Sequence, residues 1–295
     1  MFFLIDQHFS LSYEEILENI NTSDSYTDCY IYPDLKSFFL NWIFALVNEK
    51  NIALMDSDLS EKEINDNNLT VNQFVKIDNP KKVYSVEELV NSIQNSNSEI
   101  TLFTSGTTGF TRKFTHPLKN LIRKINVSDE RKNDVWGFAF NPTHVAGVQV
   151  FFQAILNQNL LVNVFMESKD FVINAINEYK ITNLSSTPTF YRLLLPLNQS
   201  FDSVTKITIG GEKSDNYLIS QVEKYFPNAR INNVYGSTET GPLFSSQNDE
   251  FIVQDKHLGL VKVVEDELYI HKNLFGETSQ LNLVDDFYAT GDLIE

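Results

Sequence analysis

Thr104-Ser105-Gly106-Thr107-Thr108-Gly109-Phe110-Thr111-Arg112-Lys113 concentrates hydroxyls, two glycines and two cations within ten residues. Glycine allows the backbone to approach a ligand closely, and exposed N–H groups with hydroxyls can surround phosphate oxygens. Arg112 and Lys113 would add compensating charge. The order Gly-x-x-x-x-Gly-Lys-Ser/Thr is absent, so this is not a Walker A loop. A second cluster, Tyr235-Gly236-Ser237-Thr238-Glu239-Thr240-Gly241, puts an aromatic ring, glycines, hydroxyls and one carboxylate in a single turn. Such a turn could stack a base, admit a phosphate and hold Mg²⁺ through Glu239. Gly210-Gly211-Glu212 and Thr290-Gly291-Asp292 are shorter clusters of the same kind. Taken one at a time, each of the four is equally a polar turn that reverses the chain.

The elements around these clusters have a regular order. Strand-like runs are Ile100–Thr104, Val135–Phe140, Leu160–Phe165, Ile181–Leu184, Val204–Ile209 and Arg230–Tyr235. Helical spacing appears at Leu118–Ile125, Val145–Leu156, Phe171–Tyr179, Phe190–Leu195 and Asn216–Tyr225. Strands alternating with helices predict an α/β fold with mostly parallel sheets flanked by helices, where ligands sit at the carboxyl ends of strands. Upstream, Ser12 and Ser85 each stand three residues before a glutamate, the spacing of a capping box. Leu35, Phe38, Phe39, Trp42, Ile43 and Leu46 form an apolar helical stripe, and Ile52–Met55 reads as a buried strand. Residues 56–79 read as a polar loop with one weak strand, Val71–Ile77. After Leu243 the pattern becomes short antiparallel strands at Phe251–Val253, Leu258–Val264, Leu268–His271 and Phe287–Ala289, a small β subdomain. The expected division is 1–83, a reduced N-terminal α/β subdomain; 84–242, an α/β core; and 243–295, the small β subdomain ending at the Thr-Gly-Asp turn.

Composition narrows the function. The 295 residues carry a net charge of −16. Duplex nucleic acid and anionic membranes need clustered cations, so neither is expected as a main partner. Cys29 is the only cysteine, which excludes an intramolecular disulfide and a cysteine zinc site. The start lacks a basic leader, and the most apolar stretch, 38–47, is too short for a membrane span. A cytoplasmic protein is expected.

Taken together and in this order, the four clusters resemble the adenylate-forming enzyme superfamily: acyl- and aryl-CoA synthetases, luciferases and peptide-synthetase adenylation domains. Ser186-Thr187-Pro188-Thr189 before a helix adds to the likeness, which runs from about Tyr84 to the end. The resemblance implies ATP-dependent activation of a carboxylic acid to an acyl-adenylate. Thr104, Ser105, Gly106, Thr107, Thr108 and Gly109 would wrap the β- and γ-phosphates of ATP. Tyr235 would stack on adenine, with Gly211 and Glu212 beside it and Gly236 next in the turn. Thr238 would contact the α-phosphate, Glu239 would hold Mg²⁺, and Asp292 would accept from the ribose hydroxyls. Asn141-Pro142-Thr143-His144-Val145-Ala146-Gly147 is similar to the segment that sets a histidine near the substrate carboxylate, so His144, Val145, Gly210 and Ser237 are expected on the acid. CoA or the thiol of an acyl-carrier protein would be the second substrate. No acid occupies the position that binds an amino group in peptide synthetases, so a simple carboxylic acid is expected rather than an amino acid. Phe138, Phe140, Val148, Phe151 and Phe152 are candidate walls of an aryl or medium acyl pocket, and equally candidate core.

Two departures from the family pattern bear on activity. Arg112 takes the usual lysine position of the phosphate loop and Lys113 the usual glycine, and arginine is not equivalent to lysine. The sequence stops four residues after Gly291, where the family's mobile domain with its lysine should follow. The expectation is an acid:AMP ligase that is incomplete or slow by itself. The alternative is a degenerate binding protein that holds nucleotide or acyl-adenylate without turnover.

Overall fold

The structure is a computed structural model. It describes residues 1–31, 33–57, 59–67, 69–105, 111–253, 257, 259–276 and 283–294. Gly106, Thr107, Thr108, Gly109 and Phe110 of the first cluster therefore lie outside the described residues.

Among the described residues, eight strands make the largest sheet. In order across it they are Gly241–Ser246, Arg230–Ser237, Lys206–Gly210, Asn183–Ser186, Val135–Phe138, Leu160–Asn163, Phe2–Ile5 and Ser10–Ser12. The six inner strands are parallel and both edge strands antiparallel. A second sheet joins Cys29–Ile31, Ile52–Met55 and Glu99–Ser105 in parallel, then Thr111–Pro117 antiparallel. A small antiparallel sheet follows, Val261–Val264, Glu267–His271, Phe287–Leu293 and Leu283–Val284 in spatial order. The expected fold class is thus the observed one. Helices cover the parallel sheets because βαβ crossovers place them there.

The helices Val145–Leu156 and Asn216–Tyr225 have the predicted bounds. Ser12 begins the helix Tyr13–Thr22 with a complete capping box. At Ser85 only half of the device forms: its hydroxyl accepts from Glu88 N, while the Glu88 carboxylate turns to the N–H of Tyr84. Several expectations shift. The strand placed at Ile181–Leu184 runs over Asn183–Ser186, held between neighbours whose register includes Ser186 opposite Ile209. Phe251–Val253 is not a strand. Within 56–79 a helix, Glu61–Asp66, starts from a capping box between Ser60 and Glu63, and the weak strand narrows to Phe74–Lys76.

The main core lies between the two larger sheets. The helix Leu35–Val47 meets Val145–Leu156 there, with Trp42 and Phe39 both stacked on Phe151, at 3.9 and 5.2 Å. Phe138, Phe151, Phe152 and Val148 are fully buried in this cluster. Phe3 and Leu4 join the same core although they begin the chain, because Phe2–Ile5 pairs in parallel with Leu160–Asn163. Strands from residues 1–83 thus belong to both larger sheets, and no sheet boundary falls at 83/84. Among the described residues no helix is long and apolar enough to cross a membrane.

Candidate functional site

Four strands of the large sheet end side by side, and the chain that leaves each one carries the sequence clusters. After Val135–Phe138 come Asn141 to His144 and the helix Val145–Leu156; after Asn183–Ser186 come Thr187 and the helix Pro188–Leu194. After Lys206–Gly210 come Gly211 and Glu212, and Arg230–Ser237 runs into the Thr238–Thr240 turn. The fold thus brings together at one sheet edge what the sequence spreads over a hundred residues.

Two cavities open at this edge. One, of about 710 Å³, is bounded by His144, Thr187, Glu212, Ser237 and Thr238 among others. The other, of about 560 Å³, lies along the helix Val145–Leu156, with Trp136, Gln149, Gln153, Val234 and Phe244 in its walls. Phe140, Val145, Ala146, Gly211 and Gly236 border both, so the cavities meet there. Gly236 has to be glycine: a Cβ would lie 2.5 Å from the Gly241 carbonyl oxygen and 2.9 Å from Pro242 Cα, both backbone. Of the aromatic residues considered for an acyl pocket, Phe140 alone borders a cavity; Phe138, Phe151 and Phe152, with Val148, are core.

His144 is the N-cap residue of Val145–Leu156 but makes no capping bond with its ring. Its Nε2 lies 3.5 Å from Asp56 Oδ2, and the same carboxylate oxygen accepts from Asn141 Nδ2. Asn141 Oδ1 accepts from the backbone N–H and the hydroxyl of Thr143 at 3.0 and 2.8 Å. Asp56 comes from the second sheet, directly after Ile52–Met55. Sequence reasoning did not single it out, although an acid at the end of a predicted parallel strand is the available signal.

The Glu212 carboxylate accepts from the N–H and hydroxyl of Thr189 at the start of the helix Pro188–Leu194. Gly211 supplies the reversal with φ of +83°. The Tyr235 hydroxyl donates to Asp292 Oδ2, which joins the second and fourth sequence clusters directly. Burial, and then the Asp292 charge, push the Tyr235 phenol far above its ordinary range. Its ring has Phe244 and Phe251 as aromatic neighbours at 5.7 and 6.0 Å. Behind Asp292, Gly291 N donates to Glu267 Oε1 at 2.6 Å and Thr290 Oγ1 to the Leu268 carbonyl at 2.8 Å.

The strands flanking the phosphate-loop cluster pair closely, Thr104 opposite Arg112 and Phe103 opposite Lys113. Arg112 Nη1 donates to the Tyr288 hydroxyl at 3.1 Å, so this cation leans on the small sheet that bears Asp292. Farther along the same strand, buried His116 sets Nε2 2.8 Å from the Thr238 carbonyl oxygen. Gly276 N donates to the Glu239 carbonyl at 2.9 Å, and Arg123 and Lys124 donate to the Thr240 and Pro242 carbonyls. The turn that carries Thr238 and Glu239 is therefore held through its own backbone oxygens from three other segments. Sequence reasoning missed His116 and Gly276, because a bond across 122 residues leaves no local pattern.

Glu239 is the one carboxylate of its turn. Among the described residues no group of three or more His, Cys, Asp or Glu could hold a metal ion. A lone carboxylate is chemically compatible with Mg²⁺, which keeps most of its waters.

A family model described as AMP-binding enzyme matches residues 44–278. The chain is 27% identical over 157 residues to a 2-succinylbenzoate–CoA ligase of Staphylococcus epidermidis, covering 51% of this chain and 32% of that protein. It is 26% identical over 189 residues to 4-coumarate–CoA ligase-like 9 of Arabidopsis thaliana, covering 60% and 34%. The matched stretch thus spans about a third of the length of these curated relatives. Among solved structures, O-succinylbenzoate coenzyme A synthetase from Bacillus subtilis, in complex with ATP and magnesium ion, superposes with a TM-score of 0.70 at 14% identity, covering 99% of this chain and 74% of that one. The luciferase-like enzyme of the nonluminescent Zophobas morio mealworm gives 0.67 at 14%, covering 99% and 88%. At these identities the superpositions establish a shared fold.

Proposed function

The chain belongs to the AMP-binding enzyme family, and from that premise we propose that it activates a carboxylic acid to an acyl-adenylate with ATP and Mg²⁺, as the core of an acyl- or aryl-CoA ligase. The observation that carries the reading is the meeting of two cavities at Gly211 and Gly236, beside the Thr238–Glu239 turn. The larger, polar-edged one takes the nucleotide and the one along Val145–Leu156 takes the acid.

In this arrangement Thr104 to Gly109 hold the β- and γ-phosphates, with Lys113 near them. Arg112, tied to Tyr288, joins the strand Thr111–Pro117 to the small sheet. Adenine lies against Tyr235, whose hydroxyl fixes the Asp292 carboxylate for the ribose hydroxyls. Thr238 meets the α-phosphate. Glu239 would hold Mg²⁺, which supplies charge neutralisation at the phosphates when bound. His144, steadied by Asp56, faces the carboxylate to be activated. An oxygen of that carboxylate attacks the α-phosphorus, the bond to the bridging oxygen of the β-phosphate breaks, and pyrophosphate leaves. Gly236 and Gly211 supply no side chain at the crossing point, so the reacting atoms can come together. Holding two reactants in line can supply about 7–11 kcal/mol of the barrier, which makes placement the main contribution of this edge.

CoA is the acceptor favoured by the curated relatives' names, and a cytoplasmic place of action fits ATP and CoA as substrates. We assign residues 84–242 to the nucleotide-binding core and 243–295 to the subdomain that carries Asp292. Acid-dependent exchange of labelled pyrophosphate into ATP tests the proposal. Exchange that requires both Mg²⁺ and a carboxylic acid is expected. AMP binding without any exchange across a broad acid panel would favour the non-catalytic binding protein instead.

A further inference from the structure

The floor of the cavity along Val145–Leu156 is polar where a parallel sheet is ordinarily apolar. Leu184, Ile207 and Ile231 stand side by side on three adjacent strands and are buried in the core under the flanking helices. Parallel strands buried on both faces are apolar on both. Here the row on the opposite face is Ser185, Thr208 and Asn232, again in register across the three strands. All three border the cavity of about 560 Å³. Two residues back on the same face, Asn183 is 1% exposed, and neither polar atom of its buried amide has a partner among the described residues. The polar character therefore belongs to this face of the sheet and not to one residue.

What this cavity leaves unspent is uncharged. The side chains of Ser185, Thr208 and Asn232 have no hydrogen-bond partner among the described residues. On the helix wall, Gln153 Oε1 is buried and likewise without one. The two bases at this cavity are engaged inside the protein: Lys124 Nζ donates to the Pro242 carbonyl at 2.6 Å, and the His257 ring lies edge-on to Phe244 at 4.9 Å. No aspartate or glutamate borders the cavity among the described residues. Hydroxyls and primary amides each both donate and accept. Buried polar groups are ordinarily paired, and leaving one unpaired costs more than a made bond returns. The row's place along the strands fixes which part of a ligand meets it. At about 3.3 Å per residue, Thr208 lies about 10 Å behind Gly211 and Asn232 about 13 Å behind Gly236, the glycines at which the two cavities meet. Between the row and that junction, Gly210 and Val234 are the next pair on this face and offer a bare backbone and an aliphatic group.

We infer that the acid ends in an uncharged group that both donates and accepts hydrogen bonds, a carboxamide being the simplest, seated on Ser185, Thr208 and Asn232 about 10 Å from the carboxylate that is activated. This rests on the acid-activation reading above and names the class of acid within it. A plain hydrocarbon tail fills the same space but strips water from the row and gives it no partner. Thr208 and Asn232 are then specificity-determining residues, set by the sheet register and distant from the nucleotide.

Two stable acyl-sulfamoyl adenosines test this without requiring turnover. One is made from 3-(4-carbamoylphenyl)propanoic acid, the other from 3-(4-isopropylphenyl)propanoic acid, which keeps the shape and removes the hydrogen bonds. Both are titrated calorimetrically, alongside AMP, into the full chain and into Thr208→Val and Asn232→Leu. The carboxamide compound should bind about tenfold tighter or more than the isopropyl compound. Each substitution should cut that ratio by about threefold or more while AMP affinity stays as it was. Where one variant fails to fold, and so fails to bind AMP, the other decides. AMP binding with the isopropyl compound as tight as the carboxamide, or with neither sulfamate tighter than AMP, overturns the polar-tail inference and leaves the nucleotide reading intact. A ratio that survives both substitutions overturns the assignment to this row. No binding of AMP or of either sulfamate overturns the nucleotide reading, and the inference with it.

Discussion

Replacing His116 by glutamine tests whether the turn beneath Thr238 and Glu239 rests on a neutral imidazole. The ring is 3% exposed, and its Nε2 lies 2.8 Å from the Thr238 carbonyl oxygen. Burial is the largest influence on its protonation and lowers its pKa; the Thr238 bond and Glu239 oppose that, and Arg123 reinforces it. A histidine with a lowered folded pKa takes up its proton in the unfolded chain first. Stability from this group is therefore complete above the unfolded value of about 6.5 and falls as pH drops below it, until the folded pKa is reached. The loss grows as pH falls below 6.5, and its upper bound is that of a ring held wholly neutral, about 0.4 kcal/mol at pH 6.5 and about 1.4 kcal/mol at pH 5.5. His116→Gln keeps an amide donor for Thr238 and removes the titration. The assay is reversible urea unfolding of both proteins at half-unit steps from pH 7.5 to 5.0, read as the difference between them. Other titrating groups are common to both and cancel in that difference. The wild type should lose ground steadily below pH 6.5. Parallel curves down to pH 5.0 would mean that the imidazole titrates alike folded and unfolded, and the buried-neutral account of the clamp would be wrong.

Two further substitutions bear on the cavity junction. Gly236→Ala puts a methyl group against the Gly241 carbonyl oxygen and Pro242 Cα; overpacking against backbone should cost about 1–3 kcal/mol in unfolding experiments, and AMP affinity should fall with it. An alanine variant as stable and as tight as the wild type would show that the hairpin gives way freely. Glu239→Gln removes charge at nearly constant size, so Mg·ATP should weaken by about tenfold or more while AMP without metal changes little, as measured by calorimetry. Equal losses for both ligands would remove the metal role from Glu239.

The parts of this molecule that could be read from sequence are those whose cause is local. Glycines and hydroxyls directly after β-branched runs mark strand ends, which is why the clusters around Gly210 and Tyr235 fall where strands of the large sheet finish and the one around Thr104 where a strand of the second sheet does. Helix starts with an apolar stripe behind them were equally legible, as at Ser12 and Val145. The capping box at Ser60 was passed over because its helix is short and buries nothing, so no stripe supports it. Phe2–Ile5 is a four-residue run whose partner strand begins at Leu160, and nothing near Phe2 reports that pairing.

The same reasoning explains why the cavity proposed for the acid resisted a sequence reading while the edge proposed for the nucleotide did not. Val145–Leu156 is apolar on nearly all sides, so periodicity cannot divide it. One face, with Val148, Phe151 and Phe152, packs against the core that holds Trp42, and another, with Val145, Gln149 and Gln153, borders the cavity. Only the helix on the far side and the sheet beneath decide which face is which. The side chains that complete the cavity, Lys124 and His257, arrive from segments more than a hundred residues apart in sequence. Nucleotide recognition depends on backbone turns, which need particular residues in consecutive positions and so leave motifs. Acid recognition depends on side chains projecting from separate elements into shared space, where almost any single residue can change with no mark on its neighbours. On the proposed function, a substrate for this chain is therefore to be sought by varying the length and shape of the acid against the Val145–Gln153 wall, rather than by matching the motifs proposed to bind its adenylate.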